Sequence, residues 1–114
     1  MNVKDFSFGA ITIDGKTYEK DLIIENGSIK KRNKSDSKKY SDRFGHTPLS
    51  TDEYIPWNCK RLVIGTGNSS RLPVMDGVRD IAVQKGMELV MMSTREAVKH
   101  INDPQTNLIL HLTC

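Results

Sequence analysis

Two segments of the chain carry residue types that suit the binding of an anion. One is the loop 65–68, which follows a short apolar stretch, and the other is the predicted helix start 93–95, which follows the next apolar stretch. Unpaired backbone amides at such junctions point outward, and the helix dipole favours negative charge. The predicted pocket or anion-binding residues are Gly65, Thr66, Gly67, Asn68, Ser93, Thr94 and Arg95.

The loop 65–68 also has a purely geometric interpretation, in which Gly65 and Gly67 only allow a tight turn and Ser93 only caps a helix. A dinucleotide fingerprint requires a third glycine where this chain has Ser70, and an acidic residue where it has Met91 and Met92. A phosphate-binding P-loop requires a lysine after its last glycine, and none is present. We therefore predict no nucleotide cofactor.

His111 and Cys114 are the possible reactive groups near such a pocket. His111 on the last predicted strand is interpreted first as a hydrogen-bonded core or rim residue, with general-base chemistry as the alternative. Cys114 is interpreted first as a packed thiol and second as a nucleophile. The histidines and cysteines lack the spacing of a zinc site, so no metal is predicted. No group of residues identifies a reaction, and the catalytic residues are therefore left unknown.

The elements that position these residues form a β-α-β-α-β pattern over residues 61–112. Strands are predicted at 62–64, 87–92 and 108–112, with a helix over 74–85 and a second helix that begins at the capping box of Ser93 and Glu96. A right-handed crossover makes the first two strands parallel neighbours, so both anion-binding segments open at one edge of the sheet.

Residues 3–32 have the alternation and turns of an antiparallel β part. Asp14-Gly15 and Asn26-Gly27 are typical hairpin turns. The segment Leu22–Ile24 between these turns is apolar at every position, which predicts a central strand.

Residues 30–43 hold seven basic and two acidic side chains, although the formal charge of the whole chain is only +3. Their composition predicts a solvated basic loop over 33–47, with contact to nucleic acid through 30–43 as the alternative. The next segment, with Asp52 and Glu53, is predicted to make one or two helical turns.

Length and composition limit the function classes further. The chain has 114 residues and is predicted to be a single domain over 1–114. An aromatic content of 6% is too low for stacking platforms along single-stranded nucleic acid, and no apolar run is long enough for a membrane span. With no secretory or transit pattern and two cysteines interpreted as reduced thiols, we expect a cytoplasmic protein.

The order and spacing of six segments resemble the domain of unknown function 498 family, which includes an adipogenesis-associated protein and a mitochondrial complex I assembly factor. The chain is most similar to its microbial branch. The resemblance implies an α/β three-layer domain: a mixed central sheet flanked by helices, and an additional N-terminal antiparallel β-hairpin layer. It implies no catalytic residues. The segments are 6–18, 21–24, 62–67, Thr94-x-x-Ala97, Asn102 and 111–114.

Two departures from the family pattern weaken any idea of a shared reaction. Arg95 stands where many members have cysteine, and Thr106-Asn107 stands where many have Gly-Arg. The sequence thus favours a non-enzymatic module that binds a protein partner or a small anion. The alternative is an enzyme acting on a small polar or anionic metabolite, and the third hypothesis is nucleic-acid contact through 30–43. The oligomeric state is not predicted.

Overall fold

The computed structural model describes residues 1–114 and contains eight strands and three α-helices. None of the helices has the length and apolar character that crossing a membrane requires. Two 3₁₀ helices cover Ser35–Tyr40 and Val98–His100. The strands are β1 (Val3–Ser7), β2 (Ala10–Ile13), β3 (Lys16–Tyr18), β4 (Leu22–Glu25), β5 (Ser28–Lys31), β6 (Arg61–Gly65), β7 (Glu88–Met92) and β8 (Thr106–Leu110); the helices are α1 (Ser41–Phe44), α2 (Asp76–Gln84) and α3 (Thr94–Ala97).

The central sheet is mixed and has the strand order β5-β4-β8-β6-β7. Strand β6 is parallel to both β7 and β8, whereas β4 runs antiparallel to β8 and to β5. A separate antiparallel sheet has the order β1-β2-β3. The predicted α/β class with a mixed sheet and an additional β layer is confirmed.

Strand β4 has the central position that its sequence predicts, because all four of its residues are buried. Both predicted hairpin turns form. Asp14 and Gly15 have φ of 50° and 83°, and Asn26 and Gly27 have φ of 49° and 79°, which is the left-handed region that these turns require.

Three layers arise because the two faces of the central sheet carry different partners. One core joins the sheet to β2 and α3 through residues such as Ile13, Ala97 and Leu110. The other core joins the opposite face to α2 and to the segment 49–72 through residues such as Leu49 and Val78. The sheet is therefore covered on both sides, as a parallel core requires.

The helices are shorter than the sequence pattern predicts. Helix α2 spans Asp76–Gln84 rather than 74–85, because Val74 pairs with Leu49 in a β-bridge. The Oγ of Ser93 accepts the amide of Glu96 at 3.3 Å and caps α3 as predicted. Strand β8 ends at Leu110 rather than at residue 112, since the amide of Leu112 donates to the Asp21 side chain and residues 113–114 accept from the loop after β6.

Two predictions for the middle of the chain are wrong. Residues 33–47 are not a plain loop, because the 3₁₀ helix Ser35–Tyr40 and α1 occupy most of them. The segment with Asp52 and Glu53 is a turn and not a helix. Glu53 is buried and forms an ion pair with Arg32, a contact that local sequence cannot signal.

Candidate functional site

The two predicted anion-binding segments lie side by side at the carboxyl ends of β6 and β7. The amide of Thr66 donates to the carbonyl of Met92 at 2.8 Å, and its hydroxyl donates to the same carbonyl at 2.9 Å. The amide of Gly67 donates to Oγ1 of Thr94 at 2.8 Å. The two segments therefore lie next to each other at one edge of the sheet, as the sequence predicts.

The amides of this loop already have acceptors within the protein. Asn68 donates to the carbonyl of Thr113 at 2.7 Å, and Ser69 donates to the carbonyl of Cys114 at 2.9 Å. An anion in the loop would have to displace residues 113–114. The five surface cavities are lined by other residues, so binding at this loop stays a prediction.

The two loop glycines allow close packing. A Cβ on Gly65 would lie 2.9 Å from Oγ1 of Thr94, and a Cβ on Gly67 would lie 2.7 Å from the Cys114 oxygen and 2.9 Å from Cδ2 of His111. Gly67 also has a φ of 112°, which favours glycine. The geometric interpretation thus accounts for both glycines.

Arg95 lies apart from the loop. Its guanidinium carbon is 5.3 Å from the ring centroid of Phe6, and its Nη2 is 3.5 Å from the Phe6 carbonyl. The charge of Arg95 is directed to β1 and not to residues 65–68.

His111 forms part of a hydrogen-bonded line that sequence reasoning missed. Its Nδ1 lies 2.7 Å from Oδ2 of Asp21, and its Nε2 lies 3.3 Å from Oγ1 of Thr113. Asp21 directly precedes β4, whereas His111 and Thr113 follow β8. Because β4 and β8 are antiparallel, the start of one meets the end of the other at the same sheet edge as the loop after β6.

Arg32 fixes Asp21 from the protein interior. Its Nη1 donates to Oδ2 of Asp21 at 2.9 Å, and its Nε and Nη2 donate to the two carboxylate oxygens of Glu53 at 2.7 and 2.9 Å. Ser37 donates to Oε2 of Glu53 at 2.6 Å. The side chains of Arg32 and Glu53 are both 0% exposed. These hydrogen bonds replace the water that a buried ion pair has lost.

The pKa of Asp21 lies well below its ordinary value. Burial by itself would raise the pKa, but the hydrogen bond and charge of His111, the amide of Leu112 and the charge of Arg32 outweigh burial and hold the pKa at about 2. Asp21 is therefore ionised at neutral pH and can only accept hydrogen bonds. It follows that Nδ1 of His111 carries a proton, and that the lone pair of a neutral imidazole is on Nε2, facing Thr113.

A cavity of about 260 Å³, here called the lysine cavity, opens beside this line. None of its three lysines forms an ion pair, whereas Asp21 and Glu53 are already paired with Arg32. The three lysines and Arg32 carry four positive charges, against three negative charges on Glu19, Asp21 and Glu53, so positive charge is in excess. The lining residues are Glu19, Lys20, Asp21, Lys31, Arg32, Lys34 and Thr113.

Sequence patterns gave little indication of the residues around this cavity. Asp21 and His111 are 90 residues apart and belong to no motif. Lys31 and Lys34 lie in the predicted basic segment, whose charge was the one available signal. Cys114 is half-buried, and its thiol is free. Its backbone oxygen accepts hydrogen bonds from the amides of Ser69 and Arg71.

Comparison with known proteins supports the fold and gives no activity. A family model described as "Protein of unknown function (DUF498/DUF598)" matches residues 3–104. The crystal structure of a conserved hypothetical protein from Pyrococcus horikoshii is similar, with 25% identity, a TM-score of 0.83 and full coverage of both chains.

Two solution structures share the fold at lower identity. A protein from Rhodopseudomonas palustris is 13% identical over 96% of this chain and 82% of its own, with a TM-score of 0.66. A Mth938-like domain from Bordetella pertussis is 16% identical over 96% of this chain and 84% of its own, with a TM-score of 0.60. No curated protein matches the chain.

Proposed function

Since this chain belongs to the DUF498/DUF598 family of proteins of unknown function, we propose its function from the geometry of the lysine cavity: the protein binds a small anionic molecule there. The observation that carries the proposal is the group of three unpaired lysines, Lys20, Lys31 and Lys34, around one cavity. Ammonium groups converging on a concave site attract carboxylates and phosphates. The cavity of about 260 Å³ fits a metabolite with one or two such groups.

The buried groups beside the lysines support the same function. Arg32 is already paired within the protein, and its charge offsets one of the two negative charges of Asp21 and Glu53. The hydroxyl of Thr113 supplies a neutral hydrogen-bonding group at the wall of the cavity. Paired, buried polar groups beside exposed, unpaired lysines are a suitable arrangement for binding a small polar anion.

Calorimetric titration tests the proposal with inorganic phosphate, succinate and citrate as probes at low ionic strength. We expect at least one probe to bind, and the double variant Lys31→Ala, Lys34→Ala to weaken it at least about tenfold, since each lysine adds on the order of 1 kcal/mol. The matched control is Lys85→Ala, an exposed lysine after α2 that lies outside the cavity. Failure of all probes, or equal loss in the control, would overturn the proposal.

Nucleic-acid contact through residues 30–43 is less well supported than small-anion binding. Three of the seven basic side chains are already paired with carboxylates: Lys30 with Glu25, Arg32 with Glu53 and Lys39 with Asp52. Fewer charges then remain to neutralise phosphates. Binding to a protein partner stays the alternative hypothesis. No particular surface of the protein supports it, whereas the unpaired lysines support anion binding.

A cytoplasmic location is part of the proposal. Both cysteines, Cys59 and Cys114, are free, which agrees with a reducing compartment. Burial raises the pKa of the Cys59 thiol, so this residue is held in its unreactive form.

A further inference from the structure

We propose that Thr113 is a nucleophile that hydrolyses esters of small anionic acids bound in the lysine cavity. The proposal rests on the binding function above and adds a reaction to it. The observation that carries it is the line Asp21–His111–Thr113, whose last residue bears a hydroxyl and lines the cavity.

The three groups have the order that activates a hydroxyl. Asp21 accepts the Nδ1 proton of His111 at 2.7 Å, and Nε2 of His111 lies 3.3 Å from Oγ1 of Thr113. A carboxylate that orients an imidazole, which in turn accepts a proton from a hydroxyl, is the arrangement of serine and threonine hydrolases on unrelated folds.

Asp21 is held more firmly than a surface carboxylate. Its Oδ1 accepts the amide of Leu112 at 2.9 Å, and its Oδ2 accepts from both His111 and Arg32. The side chains of Asp21 and His111 are only 10% and 12% exposed, so water competes weakly for these bonds. Such positioning lowers the cost of reaching the reactive geometry.

Thr113 is the accessible member of the line. It is half-buried and lines the cavity, and its hydroxyl has His111 as its only hydrogen-bond partner. The lysines that attract the acid line the same cavity. A bound acyl group is therefore brought to the hydroxyl that attacks it.

The reaction balances without a cofactor. The oxygen of Thr113 forms a bond to the ester carbonyl carbon while its proton passes to Nε2 of His111, and lysine charge stabilises the negative carbonyl oxygen. Collapse breaks the ester C–O bond, and the leaving alcohol takes the proton from His111. Water then attacks the acyl carbon and gives a proton to Nε2 of His111. The bond between the acyl carbon and Oγ1 of Thr113 breaks, and Oγ1 takes that proton from His111. The products are one carboxylic acid and one alcohol.

Ester turnover with a chosen pair of probes tests the proposal. After subtraction of each ester's rate without protein, we expect the anionic ester mono-4-nitrophenyl succinate to be hydrolysed at least about tenfold faster than neutral 4-nitrophenyl acetate. Thr113→Val, which keeps the shape but removes the hydroxyl, should lower kcat at least about a hundredfold, and Thr113→Ser should restore turnover. Cys114→Ser is the control for a neighbouring nucleophile and should leave the rate unchanged.

Mass spectrometry of the quenched reaction identifies the acylated residue. We expect the acyl group on Thr113, and its appearance instead on Cys114, Lys31 or Lys34 would overturn the proposal. Asp21→Asn should lower kcat because Asp21 positions His111, and it should not raise KM, since the loss of a carboxylate from the cavity lining does not weaken attraction of an anionic ester; a raised KM with unchanged kcat would contradict that role. Succinate binding with no turnover would overturn catalysis alone, whereas loss of both would overturn the binding function as well.

Discussion

Asp21 and His111 are 90 residues apart in sequence, yet Oδ2 of one lies 2.7 Å from Nδ1 of the other. The contact exists because β4 lies beside β8 in antiparallel register, with Leu22 opposite Leu110. It joins the first half of the chain to the second beside the lysine cavity.

The ionised state of Asp21 makes stability depend on pH. Its pKa is about 2 in the folded protein against an ordinary 3.8, so its contribution is complete above about pH 4 and is lost as pH falls toward 2. We expect Asp21→Asn to lower the free energy of unfolding by about 2 kcal/mol at neutral pH. Urea denaturation at several pH values measures it.

The control for this variant is Asp80→Asn on the exposed face of α2, which forms no ion pair. Its stability should follow that of the wild type at every pH. A loss in Asp21→Asn that is the same at neutral pH and near pH 2 would show that the ionised carboxylate does not stabilise the fold.

The buried pair of Arg32 and Glu53 should behave as one unit. Replacing Arg32 with Met leaves Glu53 buried without its partner and should destabilise the protein by about 3–5 kcal/mol. The double variant Arg32→Met, Glu53→Leu removes both charges and should cost clearly less than the sum of the two single changes. Chemical denaturation of the three variants completes the cycle, and additive losses would contradict coupling.

Gly67 should tolerate no side chain. A Cβ there meets Cys114 and His111 within 3 Å at a φ of 112°, so we expect Gly67→Ala to destabilise by roughly 2–4 kcal/mol. The matched control is Gly15→Ala, where φ is 83° but nothing lies within 4 Å, and which should cost only about 1 kcal/mol. Equal losses in thermal unfolding would indicate that only backbone conformation matters at residue 67.

Thr94 should be structural rather than part of the anion site. Its Oγ1 accepts the amide of Gly67 at 2.8 Å and donates to the carbonyl of His111 at 2.5 Å, and the residue is fully buried. Thr94→Val leaves both backbone groups without a partner and should cost about 2–4 kcal/mol, whereas Thr94→Ser should be tolerated.

Measurements of anion affinity distinguish the lysine cavity from the loop 65–68 as the binding site. If the lysine cavity is the site, Thr94→Ser and Thr66→Val should bind phosphate or succinate as the wild type does. A selective loss of affinity in Thr66→Val, with Lys31→Ala unaffected, would return the site to the loop 65–68.

The amino-acid sequence by itself determined the central strands, two hairpin turns, one helix cap and the sheet edge at which β6 and β7 end. The apolar run at 22–24 predicts a central strand, the turns at Asp14-Gly15 and Asn26-Gly27 predict hairpins, and Ser93 predicts a helix cap. These features depend on local dihedral preference, periodicity and capping, so a window of a few residues contains the information. Parallel pairing of β6 and β7 follows from the handedness of the crossover.

Tertiary structure alone decided which polar groups find each other. Whether the amides of Asn68 and Ser69 are open to an anion depends on where residues 113–114 lie, and Asp21 reaches His111 only because β4 is inserted beside β8. Glu53 shows the same limit, since it pairs with Arg32 rather than with a helix start. Side-chain partners of this kind are set by strand order and packing between distant segments, which local sequence does not encode.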